Sequence, residues 1–158
     1  MFCSLIYYTA DGTHAIKRVG MDGSNPVTLV ATDLGDARGI TTDFKSSRLC
    51  WADGSRNKIE SSDLQGRDRR TVVKADGPTG IAVVDGRVYW GEWSGKKLQS
   101  SITTAGEEVI TLHTEGKSIY AVTLVPDLNR PLDRINHCVR NSCSKVCVLT
   151  ATSFRCLD

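Results

Sequence analysis

Six cysteines, three histidines and one Trp-Ser-Gly-Lys-Lys loop are the residues of this 158-residue chain whose chemistry could matter outside a core. Four of the cysteines, Cys138, Cys143, Cys147 and Cys156, fall within nineteen residues. That is the density of a small module that relies on disulfides because it has too little apolar core. Four cysteines allow three pairings. A zinc site is the competing chemistry, but no close Cys-x-x-Cys pair is present, and His137 beside Cys138 is poorly placed as a fourth ligand. Disulfides imply an oxidising compartment, and hence a secreted or surface-exposed protein.

The second candidate is the loop holding Trp93, Lys96 and Lys97. An exposed tryptophan beside two lysines has the composition of a binding hot spot for an acidic partner. Inter-blade packing of the ring beside a solvated basic turn is the alternative. His14 and His113 are the candidate pH sensors, because histidine alone changes charge near neutrality in an unperturbed setting. Arg67-Asp68-Arg69-Arg70 reads as a solvated turn. Nothing points to catalysis: there is no serine elbow, glycine-rich phosphate loop or recognisable Cys-His motif. The expected inner strands offer Thr41, Thr42, Asp43, Ala82, Val83, Val84 and Val122, and one carboxylate cannot hold a channel metal. No cofactor is expected.

The elements that would position these residues come from a repeat. Tyr8, Trp51 and Trp90 are aromatic anchors spaced by 43 and then 39 residues. Eight residues after each comes an aliphatic, Ile16, Ile59 or Leu98, and fifteen or sixteen after it a turn glycine, Gly23, Gly66 or Gly106. A β-branched run follows in every copy. A period near 40 with about four short strands is the signature of a β-propeller blade. The first repeat predicts strands over 5–9, 14–19 and 26–31, and the second over 39–43, 48–52, 57–63 and 69–74. The third predicts 79–84, 87–91, 96–102 and 107–113, with a tight Asp85-Gly86 hairpin. A further strand over 118–125 opens a copy that stops at a polar, proline-containing linker. Asp53 and Glu92, which follow the anchors, are expected to accept turn N–H bonds and tie neighbouring blades, with Trp51 and Trp90 wedged between them.

Length and charge narrow the rest. The fold expected is all-β, an open arc of about three four-stranded antiparallel blades over 1–130 and a small module over 131–158. A net charge of +2 gives no electrostatic case for nucleic acid or a membrane surface. No stretch reaches the roughly 20 apolar residues of a membrane span. The opening Met1-Phe2-Cys3-Ser4 lacks a basic leader and is expected to run into the first strand rather than to act as a signal peptide. Cys50 is expected to be a buried, unpaired thiol. An open arc leaves terminal blade faces uncovered, so the chain alone is expected to be poorly stable and to aggregate or dimerise.

Tyr89-Trp90-Gly91-Glu92 and Cys50-Trp51-Ala52-Asp53, each preceded by a Gly-Ile strand, and more weakly Tyr7-Tyr8-Thr9-Ala10, resemble the Tyr-Trp-Thr-Asp repeats of the low-density lipoprotein receptor family. The tail resembles the first four cysteines of the epidermal-growth-factor-like module that follows such propellers. The resemblance implies part of a six-bladed propeller with a truncated module, and pairing of Cys138 with Cys147 and of Cys143 with Cys156. It implies a single-pass parent receptor, this segment lying outside the plasma membrane and taking part in protein binding and endocytic ligand release. The partners it implies are lipoprotein- or vitellogenin-type ligands and the acidic, calcium-loaded modules of the parent, with Trp93 at the propeller mouth. A Wnt co-receptor propeller, binding Wnt proteins or their antagonists, or a matrix-binding propeller is the runner-up, and a metal-dependent propeller hydrolase the third class.

Overall fold

The computed structural model describes residues 5–10, 12–104 and 108–124, together with the backbone of 146–149 and 154–157. The chain divides into two compact units, Met1–Leu124 and Val125–Asp158. Among the described residues of the first, eleven strands form three antiparallel sheets. The first sheet holds β1 (Leu5–Ala10), β2 (Ala15–Gly20) and β3 (Val27–Val30), in that spatial order. The second orders β4 (Ala37–Asp43), β5 (Arg48–Asp53), β6 (Lys58–Asp63) and β7 (Arg70–Lys74). The third orders β8 (Pro78–Val84), β9 (Arg87–Glu92), β10 (Lys97–Ile102) and β11 (Ile110–Thr114). Each is a plain meander, as propeller blades are. In the second unit, β12 (Val146–Leu149) and β13 (Phe154–Leu157) form an antiparallel hairpin.

The sequence period is also a structural period. The register shifts where the last two strands of each sheet pair, between Ile16 and Lys17, Ile59 and Glu60, and Leu98 and Gln99. These steps are 43 and 39 residues apart, the spacing of the aromatic anchors. The Asp85-Gly86 turn has both residues at positive φ, 49° and 75°, the geometry that matches the twist of a two-residue hairpin. The hairpin before Trp51 instead uses residues 44–47, where the Asp43 carboxylate accepts from the N–H groups of Lys45 (3.1 Å) and Ser46 (3.4 Å). The longer turn accounts for two of the four extra residues in the first spacing, and a longer β3–β4 link for the other two.

The core lies between sheets, because a single sheet has nowhere else to hide its faces. Trp51 is fully buried with Ile16, Val30 and Leu34 of the first sheet and the linker after it. Trp90 is fully buried with Cys50, Ala52, Ile59, Val72 and Val73 of the second. The middle strand β5 is therefore buried on both faces, which explains its near-continuous Leu-Cys-Trp-Ala run. Cys50 is buried and unpaired, and burial pushes its thiol up to about 11, with the Asp43 charge adding to the effect.

Three expectations change. Residues 118–124 are not a strand, although Gly80 lies against the backbone of Ala121 and Val122 as Gly39 lies against that of β8 at Thr79 and Ile81. The segment occupies an inner-strand position but has no ladder partner among the described residues, and strand structure needs that partner. The fourth strand of the third sheet begins at Ile110, later than the predicted 107. Arg69 is not solvated, as described below. The turn at Gly106, Cys3, and the pairings expected of Cys138 and Cys143 lie outside the described residues.

The Gly39 contact generates a test. A Cβ there would press on the Thr79 carbonyl and on Ile81, both held by β8. Gly39→Ala should cost about 1–3 kcal/mol and lower the melting temperature by several degrees. An unchanged thermal melt would contradict the packing of β4 on β8.

Candidate functional site

All turns of the type β1–β2 and all links of the type β3–β4 lie at one end of the meanders, because successive strands alternate in direction. Position for position, His14, Asn57 and Lys96 are equivalent there, and all three adopt left-handed backbone, φ 43°, 54° and 54°. The motif carboxylates set the frame. Asp53 is fully buried and accepts from the Gly35 N–H (2.8 Å) and the Arg56 N–H (3.2 Å), joining the β3–β4 link to the β5–β6 turn. Glu92, also buried, accepts from the Asp76 N–H (3.2 Å) and from Trp90 Nε1–H (3.5 Å). Asp53, one methylene shorter, does not reach Trp51 Nε1, which is buried without a hydrogen-bond partner among the described residues. Gly54 and Trp93 are equivalent too, their N–H groups donating to the carbonyls of Asp36 (2.9 Å) and Gly77 (3.0 Å).

The second and third sheets then diverge. In the second, Arg69 stacks 5.5 Å from the Trp51 ring centroid and pairs with the buried Glu60 carboxylate (2.5 and 3.2 Å). It also donates to the carbonyls of Thr32 and Asp33, both at 2.6 Å. Lys58 lies 3.2 Å from Glu60 and 3.7 Å from Asp33, and Arg56 pairs with Asp33 at 2.5 Å. Every cation at this corner has a carboxylate. In the third sheet the equivalents of Glu60 and Arg69 are Gln99 and Val109. The clamp is gone, and a cleft of about 430 Å³ stands there, lined by Asn57, Lys74, Asp76, Glu92, Gln99 and Val109. Lys74, Lys96 and Lys97 form no ion pair among the described residues.

Trp93 sits beside this cleft's end of the sheet, half exposed. Its Nε1–H donates to Tyr120 Oη (3.2 Å) and its carbonyl accepts from Ser118 Oγ (2.9 Å). Lys96 is exposed and its carbonyl accepts from the Glu115 N–H (2.7 Å), while Lys97 is half-buried at the start of β10. Tyr120 was not singled out from the sequence. Its signal is its phase: it stands where Arg38 and Thr79 are the second residues of the preceding inner strands, at the same end as Trp93. His14 Nδ1 lies 2.7 Å from the Gly35 carbonyl oxygen. His113 Nε2 lies 3.1 Å from Glu115 Oε1 on the exposed face of β11. Among the described residues no cluster of three or more His, Cys, Asp or Glu is arranged to hold a metal ion. No described helix could cross a membrane.

No family model matches the chain. It is similar to the vitellogenin receptor of Solenopsis invicta, 30% identical over 91% of this chain and 8% of that one. It is 31% identical to human low-density lipoprotein receptor-related protein 5 over 92% of this chain and 9% of that one. Mouse low-density lipoprotein receptor-related protein 4 is 34% identical over 74% of this chain and 6% of that one. The chain thus spans less than a tenth of the length of these relatives. Among solved structures, the nidogen/laminin complex superimposes with a TM-score of 0.67 and 25% identity, over 74% of this chain and 47% of that one. A luciferin-regenerating enzyme shares the fold at TM-score 0.59 and 12% identity.

The clamp of the second sheet can be tested directly. Arg69→Ala leaves buried Glu60 with Lys58 alone, and should cost about 3 kcal/mol in chemical denaturation. Adding Glu60→Gln, the residue type at Gln99, should recover much of that loss. A single variant as stable as the parent chain would remove Arg69 from the account.

Proposed function

We propose that this chain, a homologue of the low-density lipoprotein receptor-related proteins and vitellogenin receptors, is a protein-binding propeller segment of a cell-surface receptor, presented outside the plasma membrane. The observation that carries the reading is the corner formed by the third sheet. There an exposed Trp93–Tyr120 pair, and Lys96 and Lys97 without an ion-pair partner among the described residues, share one end with a cleft that also presents Lys74. Such a surface favours an acidic protein partner, with lysine ammonium groups meeting carboxylates while the aromatic pair gives apolar contact at their edge. Acidic, calcium-loaded modules of the parent receptor are partners of that chemistry, and endocytic capture and release of lipoprotein- or vitellogenin-type ligands is the role we assign. His113 is the better candidate for acid sensing, since its imidazolium would pair with Glu115 beside Lys96.

A second reading is a Wnt-binding or matrix-binding propeller. The similarity to human low-density lipoprotein receptor-related protein 5 and to nidogen in its laminin complex favours it over any enzyme. The two readings differ in the partner, not in the surface.

Binding of an acidic, calcium-loaded cysteine-rich module, measured by surface plasmon resonance alongside thermal melting, tests the site. Trp93→Ala should weaken binding by about 2 kcal/mol or more without lowering the melting temperature. Lys96→Ala should chiefly slow association and flatten its salt dependence. Unchanged affinity of the folded Trp93 variant would retire the site, and a lowered melting temperature with intact affinity would assign the ring to packing.

A further inference from the structure

We propose that Arg67-Asp68-Arg69-Arg70 is a cleavage site for a serine endoprotease of the secretory route, and that docking of the β6–β7 turn on the first sheet keeps it closed. Copies whose first two sheets fail to pack are cut there, and folded copies pass. For its compartment this rests on the reading above, since a cell-surface receptor travels that route. Three arginines stand at the first, second and fourth places before the Arg70–Thr71 bond. That spacing suits a proprotein convertase whose subsites are lined with carboxylates. The repeat does not call for these arginines. The pairing register puts Ser24-Asn25-Pro26-Val27 and Glu107-Glu108-Val109-Ile110 at the same places of the other two sheets. Arg69 serves the clamp, but the Arg67 side chain is 77% exposed, and its exposed pair with Asp63 contributes little. Arg70 is exposed and has no ion pair among the described residues.

Cleavage needs the chain drawn out, and the fold withholds that. A protease cleft takes its substrate as an extended strand, whereas Asp68 is left-handed at φ 49°. The turn is fastened to the first sheet at three places. Tyr7 Oη donates to the Leu64 carbonyl (3.3 Å), and a Cβ at Gly66 would meet the Leu29 carbonyl oxygen at 2.6 Å. Arg69 holds the Thr32 and Asp33 carbonyls. From the second sheet, Arg48 grips the Asp68 carboxylate and carbonyl (2.6 and 2.7 Å). Arg69 cannot enter a protease subsite while it lies over Trp51 and bonded to Glu60. Opening the turn therefore breaks the contacts between the first two sheets. Hydrolysis of the Arg70–Thr71 bond then consumes one water, leaving a carboxylate on Arg70 and an amino group on Thr71. The cut parts β6 from β7, whose Val72 and Val73 help to bury Trp90. Proteolysis of the open copies removes them irreversibly from the folding equilibrium.

The full chain and a synthetic peptide of residues 64–74, each incubated with a purified subtilisin-like proprotein convertase and followed by mass spectrometry, give the test. The peptide should be cut between Arg70 and Thr71. The folded chain should be cut there at least about 100-fold more slowly, because only its open fraction is a substrate. Glu60→Gln keeps all three arginines but loosens Arg69, and should speed cutting at this bond about 10-fold. Arg48→Gln, which frees Asp68, should act in the same direction. Gly39→Ala weakens the packing of β4 on β8, away from the turn, and should leave the rate unchanged. Arg70→Gln should abolish cutting in peptide and chain alike without moving the melting temperature. An uncut peptide would overturn the proposal. So would a folded chain cut as fast as the peptide, or cutting that Gly39→Ala speeds as much as Glu60→Gln does. No binding partner enters the readout, so its failure is distinct from failure of the Trp93 surface.

Discussion

Face-to-face burial between neighbouring sheets is the constraint on which the rest of this structure depends. No sheet has a core of its own, and the side chains that exclude water do so only against the sheet before or after. Trp51 and Trp90 are the largest of them, both fully buried. Truncating a buried ring of this size typically costs roughly 3–5 kcal/mol, a large share of the stability of a small domain. The same constraint explains why small hydroxyls, Ser61, Ser62, Ser100 and Ser101, fill the buried parts of β6 and β10. Larger polar groups there would hold the sheets apart.

Once the sheets are packed, the carboxylates after the aromatic anchors keep the connecting loops in place, and the loops become free to differ. Asp53 and Glu92 hold equivalent backbone N–H groups, so the end of the molecule has one backbone frame repeated. On that frame the second sheet pairs buried Glu60 with a partly buried Arg69 and neutralises its cations. The third carries Gln99 and Val109 at the same places and leaves a cleft beside lysines that have no ion pair among the described residues. The difference between a scaffold corner and a binding corner is thus a few side chains on an unchanged main chain, as expected where function is grafted onto a repeated fold.

The period was legible because it is written in residues that few other positions tolerate: an aromatic at each anchor, a glycine at each turn, β-branched runs between. The Asp85-Gly86 hairpin was legible for the same reason, since two successive positive φ values restrict residue choice. What escaped depends on partners far along the chain. Arg69 looks like a surface arginine among charged neighbours, and only the arrival of Trp51, Glu60 and the 32–33 carbonyls makes it a partly buried clamp. Residues 118–124 have strand composition, yet a strand is a property of a pair. The Trp93–Tyr120 contact joins residues 27 apart, and only the repeat phase, not the local sequence, announces it.

Cys50 offers the most direct test of inter-sheet burial, because its thiol sits in the core shared by the second and third sheets. With a thiol held at about 11, the reactive thiolate is scarce near neutral pH even before access is considered. Alkylation of the peptide containing Cys50, followed by mass spectrometry in increasing denaturant, measures how often the sheets separate. If the packing holds, Cys50 reacts only as the chain unfolds, in step with loss of the tryptophan fluorescence signal. Rapid modification of Cys50 in folded protein without denaturant would mean that the sheets do not bury each other's faces.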